Sequence, residues 1–87
     1  MKGLLTGIVS RKRDNGKVST TLFISQVPFN QYEQSADRCE GSKVVSEYCA
    51  FEVNAKAGDV VDIEYEKSGY DGKAVVANVT VLKKKGE

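Results

Sequence analysis

The chain has 87 residues, a net charge of +1, no histidine, no tryptophan and two cysteines. A single domain of this size buries only about 60% of its unfolded surface, so one domain spanning 1–87 is expected, and a partner subunit would add stability. The composition excludes a disulfide scaffold, a Cys/His zinc site and a membrane-spanning helix, since no run of about 20 apolar residues occurs.

The first strand is expected over Gly3–Arg13. Strict alternation puts Leu4, Thr6, Ile8 and Ser10 on one face and Leu5, Gly7 and Val9 on the other. Asn15-Gly16 follows, a dipeptide suited to a type I′ hairpin turn with positive φ at both residues. The second strand is expected over Lys17–Gln26, with Val18, Thr20, Leu22 and Ile24 on one side. Residues 27–42 hold the one proline, Phe29, Tyr32 and many polar groups. They read as a long irregular loop with a helical turn around Gln31–Cys39, of the kind that carries function or is disordered.

A third strand is expected over Lys43–Asn54, with Val45, Cys49, Phe51 and Val53 facing away from Val44, Tyr48 and Ala50. Tyr48 and Tyr65 read as core or barrel surface, and Phe29 as a plug at one end. The fourth strand is expected over Val60–Glu66. The fifth runs Lys73–Leu82, with Val75, Ala77, Val79 and Val81 opposite Ala74, Val76, Asn78, Thr80 and Leu82. Between these two, Ser68-Gly69-Tyr70-Asp71-Gly72 reads as a hairpin tip that carries an aromatic. Five strands and a long third connection predict an all-β fold, a small five-stranded Greek-key barrel of the OB type with protruding hairpins. Gly7 supplies the bend that closing such a barrel requires. An SH3-like barrel or an open meander are the competing folds.

Charge is segregated along the chain. Residues 1–30 carry five basic groups against Asp14, residues 31–66 three against nine acids, and residues 67–87 five lysines against two acids. Charges closer than a Debye length of about 8 Å act together, so local excess matters more than the total. The two basic segments coincide with the two hairpin tips. One carries Arg11, Lys12, Arg13 and Lys17; the other carries Tyr70 between Lys67 and Lys73. Cations that neutralise phosphates, combined with aromatic faces worth roughly 1–3 kcal/mol per stacked base, are what sequence-independent single-strand binding uses. Phe23 and Tyr32 are further stacking candidates. The lysines of Lys83–Lys85 read as a solvated end or as phosphate contacts.

No catalytic constellation is present. The commonest general base is missing, and no serine or threonine has a base placed beside it by a motif. The chain is read as neither an enzyme nor a cofactor or metal protein, with no small-molecule substrate. The apolar run near the N-terminus is too short for a secretory signal, which predicts a cytoplasmic protein with reduced thiols at Cys39 and Cys49.

The stretches "GIVSRKRDNGKVSTTLFIS" and "AGDVVDIEYEKSGYDGKAVVANVTVLK" resemble the single-stranded DNA-binding proteins of filamentous bacteriophages, typified by the gene V protein. The first is similar to that family's DNA-binding wing, the second to its C-terminal half with an aromatic-tipped loop at the dimer dyad. The resemblance implies an OB-type barrel, a homodimer in the host cytoplasm, and cooperative coating of viral single strands during replication. It matches Arg11, Arg13 and Lys17 to basic wing positions and Tyr70 to the dyad-loop aromatic. The family often has an aromatic just after the wing's Gly-Lys, where this chain has Val18, Ser19 and Thr20, so Phe23 or Tyr32 would supply that ring. Single-stranded RNA is a second possible partner. The alternative function is an OB-type or SH3-like protein-interaction module, a replication or conjugation accessory, with the acidic middle as its contact surface.

Overall fold

The computed structural model describes residues 1–69 and 71–86. Five strands follow in chain order: β1 Lys2–Lys12, β2 Val18–Val27, β3 Lys43–Cys49, β4 Val60–Lys67 and β5 Ala74–Lys83. One helical turn, α1 at Gln31–Gln34, lies between β2 and β3. All neighbouring strands are antiparallel, in the order β3-β2-β1-β4-β5. The fourth strand returns beside the first while the first three run consecutively, which is the Greek-key arrangement. The fold is therefore all-β and barrel-like, as the alternation predicts. Closure is where it differs. β5 comes up against β3, but among the described residues no backbone ladder joins them, and the sheet stays open along that seam.

The core forms because alternate positions of each strand are apolar. Leu5, Leu22, Ile24, Cys49, Val53, Val61, Ile63 and Val76 are buried together, each large aliphatic contributing about 1.5–3 kcal/mol. Among the described residues four register shifts interrupt the ladders, one of them between Val60 and Val61, and they decide which residues reach the core. A bulge between Leu5 and Gly7 makes Thr6 the extra residue, and the Thr6 hydroxyl donates to the Phe23 carbonyl at 3.0 Å. Leu5 and Ile8 consequently share the core face, although simple alternation separates them. Between Glu64 and Tyr65, Ala77 is extra on β5. Val76 therefore joins Val79 and Val81 on the inner face, the reverse of the alternating assignment. A third shift lies between Ile24 and Val27, where Gln26 has φ +62°. A glutamine in the left-handed region is strained.

Two boundaries and one turn type also differ from the sequence reading. β3 ends at Cys49, earlier than Asn54. The chain bends there, and the Thr20 hydroxyl donates to the Phe51 carbonyl at 2.9 Å in place of a ladder bond. The helical turn is confined to Gln31–Gln34, closed by a capping box of Asn30 and Glu33. The first hairpin is not type I′. Gly16 alone takes positive φ there, +83°, and its N–H donates to the Arg13 carbonyl at 2.9 Å. The Lys17 N–H donates to the Asn15 side chain at 3.0 Å. This is the three-residue loop, with a glycine in the left-handed position after the turn.

Candidate nucleic-acid interface

β4 pairs with β1 only over Lys2–Leu4. Past that point β1 and β2 run on as a ribbon, with Arg11 opposite Ser19 and Lys12 opposite Val18. Side chains alternate along a strand, so these two basic residues project from opposite faces. Arg11 shares the outer face with Val9, Thr21 and Phe23. Lys12 projects from the other face, and Arg13 and Lys17 flank the turn. All four are exposed.

The outer face also carries two aromatics. Phe23 lies opposite Gly7, and its Cδ2 is 3.4 Å from where a Cβ on that glycine would stand. The glycine thus seats the ring against the sheet. Tyr48 stands opposite Thr21 on β3, 56% exposed. Phe23 pairs with Ser46, so Tyr48 is its diagonal neighbour, about 7–8 Å away.

Tyr48 and Ala50 line two adjoining concavities. On one side, a hollow of about 250 Å³ is completed by Arg13, Asn15, Lys17, Val18 and Ser19. On the other, a groove of about 550 Å³ runs along the open seam between Phe51 on one wall and Glu66 and Ala74–Ala77 on the other. The ribbon and the second hairpin therefore meet on the two flanks of one tyrosine. The first hollow is cationic. The second is mainly apolar, with Glu47 and Glu66 also in its lining. A phosphate suits the first and a base suits the second.

The remaining candidates are placed as follows. Lys67 and Lys73 are exposed, each one residue from a wall of the seam groove. The Lys73 N–H donates to the Asp71 carboxylate at 3.0 Å, tightening that turn. Tyr70 lies outside the described residues. Tyr32, 87% exposed, stands on α1 in the β2–β3 connection, at the opposite end of β3 from Tyr48. There it lines a separate cleft with Phe29, Arg38 and Cys39. The structure thus separates Tyr32 from the groove, because residues 27–42 turn back at the far end of the β2–β3 pair. Phe29 is half-buried in that cleft, outside the core cluster.

Tyr48 is the residue that sequence reading passes over. Alternation does place it with Val44 and Ala50 on the face opposite Cys49. Only the strand register brings it beside the basic ribbon.

Electrostatics around the groove follow burial and partners. Burial, then the hydrogen bond to the Glu47 carboxylate, pushes the Tyr65 phenol well above its ordinary range. Burial, then the charge of Glu47, also raises the Cys49 thiol, so it stays protonated and unreactive. Cys39 is exposed, and both thiols are free. Among the described residues no helix is long and apolar enough to cross a membrane.

No protein-family model, curated protein or solved structure matches the chain. The likeness to the filamentous-phage proteins rests on the sequence stretches quoted above.

Proposed function

We propose that the chain binds single-stranded nucleic acid, DNA in the first place, without sequence preference. The observation that carries this reading is the shared wall of Tyr48 and Ala50, with a cationic hollow on one side and an apolar groove on the other. Arg13 and Lys17 hold phosphates, Arg11 and Lys12 extend the cationic track along the ribbon, and Tyr48 and Phe23 offer ring faces to bases. Lys67 and Lys73 take phosphates that leave the seam, and Tyr70 is assigned a base or a neighbouring molecule on the sequence alone. The resemblance stated above supplies the biological setting: a homodimer coating viral single strands during phage replication.

A second reading has one observation in its favour. Among the described residues the facing edges of β3 and β5 are unpaired, and an extended peptide could add to either. A protein-interaction module would use them, with Glu47 and Glu66 selecting a basic partner.

Binding of oligothymidylate against duplex of equal length, at low and moderate salt, separates the two readings. The first predicts preferential single-strand binding, with log K falling by about 0.7 per log unit of salt for each phosphate contacted. Absence of single-strand binding at low salt would favour the second.

A further inference from the structure

The groove leaves one basic cluster unused, at the other end of β5. We propose that Lys56, Lys84 and Lys85 form a second, separate binding site for phosphate groups. The three lysines line one concavity of about 390 Å³, together with Asn54 and Asp59.

The backbone that carries two of these lysines is held by Asp59. Its Oδ2 accepts from the Lys56 N–H at 2.9 Å, and its Oδ1 accepts from the Lys85 N–H at 2.9 Å. Its own carbonyl accepts from the Leu5 N–H at 2.8 Å, which ties the clamp to the first strand. Gly58 completes the seat. It has φ +101°, and a Cβ there would lie 2.6 Å from Lys85 Cδ, so the missing side chain is the space the lysine stem occupies. The tail after β5 is thereby fixed against the start of β4.

Asp59 also lines the concavity, so its charge counts against an anion. Yet it is 6% exposed, and both its oxygens already accept backbone N–H groups. Among the described residues none of the three lysines forms an ion pair. Among the described residues that line the concavity, three lysines stand against one buried carboxylate. Lysine binds phosphate as a point charge, without a fixed fork geometry.

On β5 the groove's lining ends at Ala77 and this site's lining begins at Val81, so roughly 13 Å of strand separate the two. The site stands whether or not the groove binds nucleic acid. The shared chemistry is the phosphate group, either of a free oligophosphate or of a polynucleotide backbone.

Two titrations distinguish these sources: inorganic tripolyphosphate followed by calorimetry, and labelled oligothymidylate followed by anisotropy. Each is run on the wild type, on K84Q/K85Q and on R13A/K17A. The glutamines retain the Lys85 N–H that Asp59 holds, and K56Q serves if the double variant loses its circular-dichroism signature. A fall of about tenfold or more in tripolyphosphate affinity, confined to K84Q/K85Q, assigns the site to free anions, tenfold being about 1.4 kcal/mol. A comparable fall for oligothymidylate assigns it to the polynucleotide backbone. The proposal is overturned if K84Q/K85Q and K56Q bind both probes as the wild type does.

Discussion

The Tyr65 hydroxyl donates to the Glu47 carboxylate at 2.9 Å, across the seam that no ladder closes. Tyr65 faces inward with Val61 and Ile63, and Glu47 faces inward opposite Leu22. The pair joins the outer hairpin to β3 where backbone bonds do not. Glu47 also lines the groove that Tyr48 lines.

Tyr65→Phe should therefore loosen the second hairpin without unfolding the domain. The cost is about 1 kcal/mol, the size of a partly exposed hydrogen bond to a charged group. Urea unfolding measures it, and faster hydrogen exchange in β5 locates it. The phenol's raised pKa adds a pH signature. A raised folded-state value means that its stabilisation is complete below the ordinary tyrosine value of 10.0 and is lost as pH rises through the folded value. Wild-type stability should fall more steeply above about pH 10 than that of the phenylalanine variant.

Asp59 contributes to the acid limb, as does Glu33, whose carboxyl Lys43 and the Asn30 N–H also hold below the usual range. The backbone N–H groups of Lys56 and Lys85 hold the Asp59 carboxyl below the usual range, with smaller help from the Lys84 and Lys56 charges. A depressed value contributes stability above the unfolded pKa of about 3.9, lost as pH falls through the folded value. Asp59→Asn should be less stable at neutral pH and show a flatter decline below about pH 4. Thermal unfolding followed from pH 7 to pH 2 checks both expectations.

Gly3 is fixed by space. A Cβ there would lie 2.3 Å from Ile24 Cγ2 and 2.8 Å from the Ser25 carbonyl oxygen, so strand or side chain must move. Gly3→Ala should cost about 1–3 kcal/mol. At roughly 4–8 °C per kcal/mol for a domain this small, the melting temperature records it readily.

These effects trace to features the sequence shows unevenly. The strands are legible because their apolar residues recur at every second position, as at Leu22 and Ile24 or Val61 and Ile63. The bulges are not. Leu4-Leu5 and Ala74-Val75-Val76-Ala77 are apolar at consecutive positions, so one inserted residue leaves no mark on the pattern, and the faces exchange unnoticed. Asn15-Gly16 signals a turn, but its type depends on which residues take positive φ, and only Gly16 does. In the candidate site, Arg11, Arg13 and Lys17 are evident because charge at a hairpin tip must be solvated. Tyr48 is not, because its neighbours are set by pairing with Thr21, a residue 27 positions away. That Tyr32 stands apart from the groove is hidden for the complementary reason: the course of residues 27–42 is decided by where β3 joins the sheet.

Binding should respond to two kinds of change. Tyr48→Ala should weaken single-strand affinity by about 1–3 kcal/mol with little change in the salt slope. Arg13→Ala should weaken it and lower the slope by about 0.7. Tyr70→Ala should reduce affinity or cooperativity and leave folding intact. Fluorescence titration at three salt concentrations, with site size fitted, distinguishes the three variants.

The most direct measurement is a map of backbone amide shifts during titration with oligothymidylate. The account predicts saturable changes that cluster at Arg13, Lys17, Ser19, Tyr48, Ala50 and Val75, continuous from the ribbon across the tyrosine into the seam. Tight binding whose shifts spare Tyr48 and concentrate around Tyr32 and the α1 cleft would contradict it.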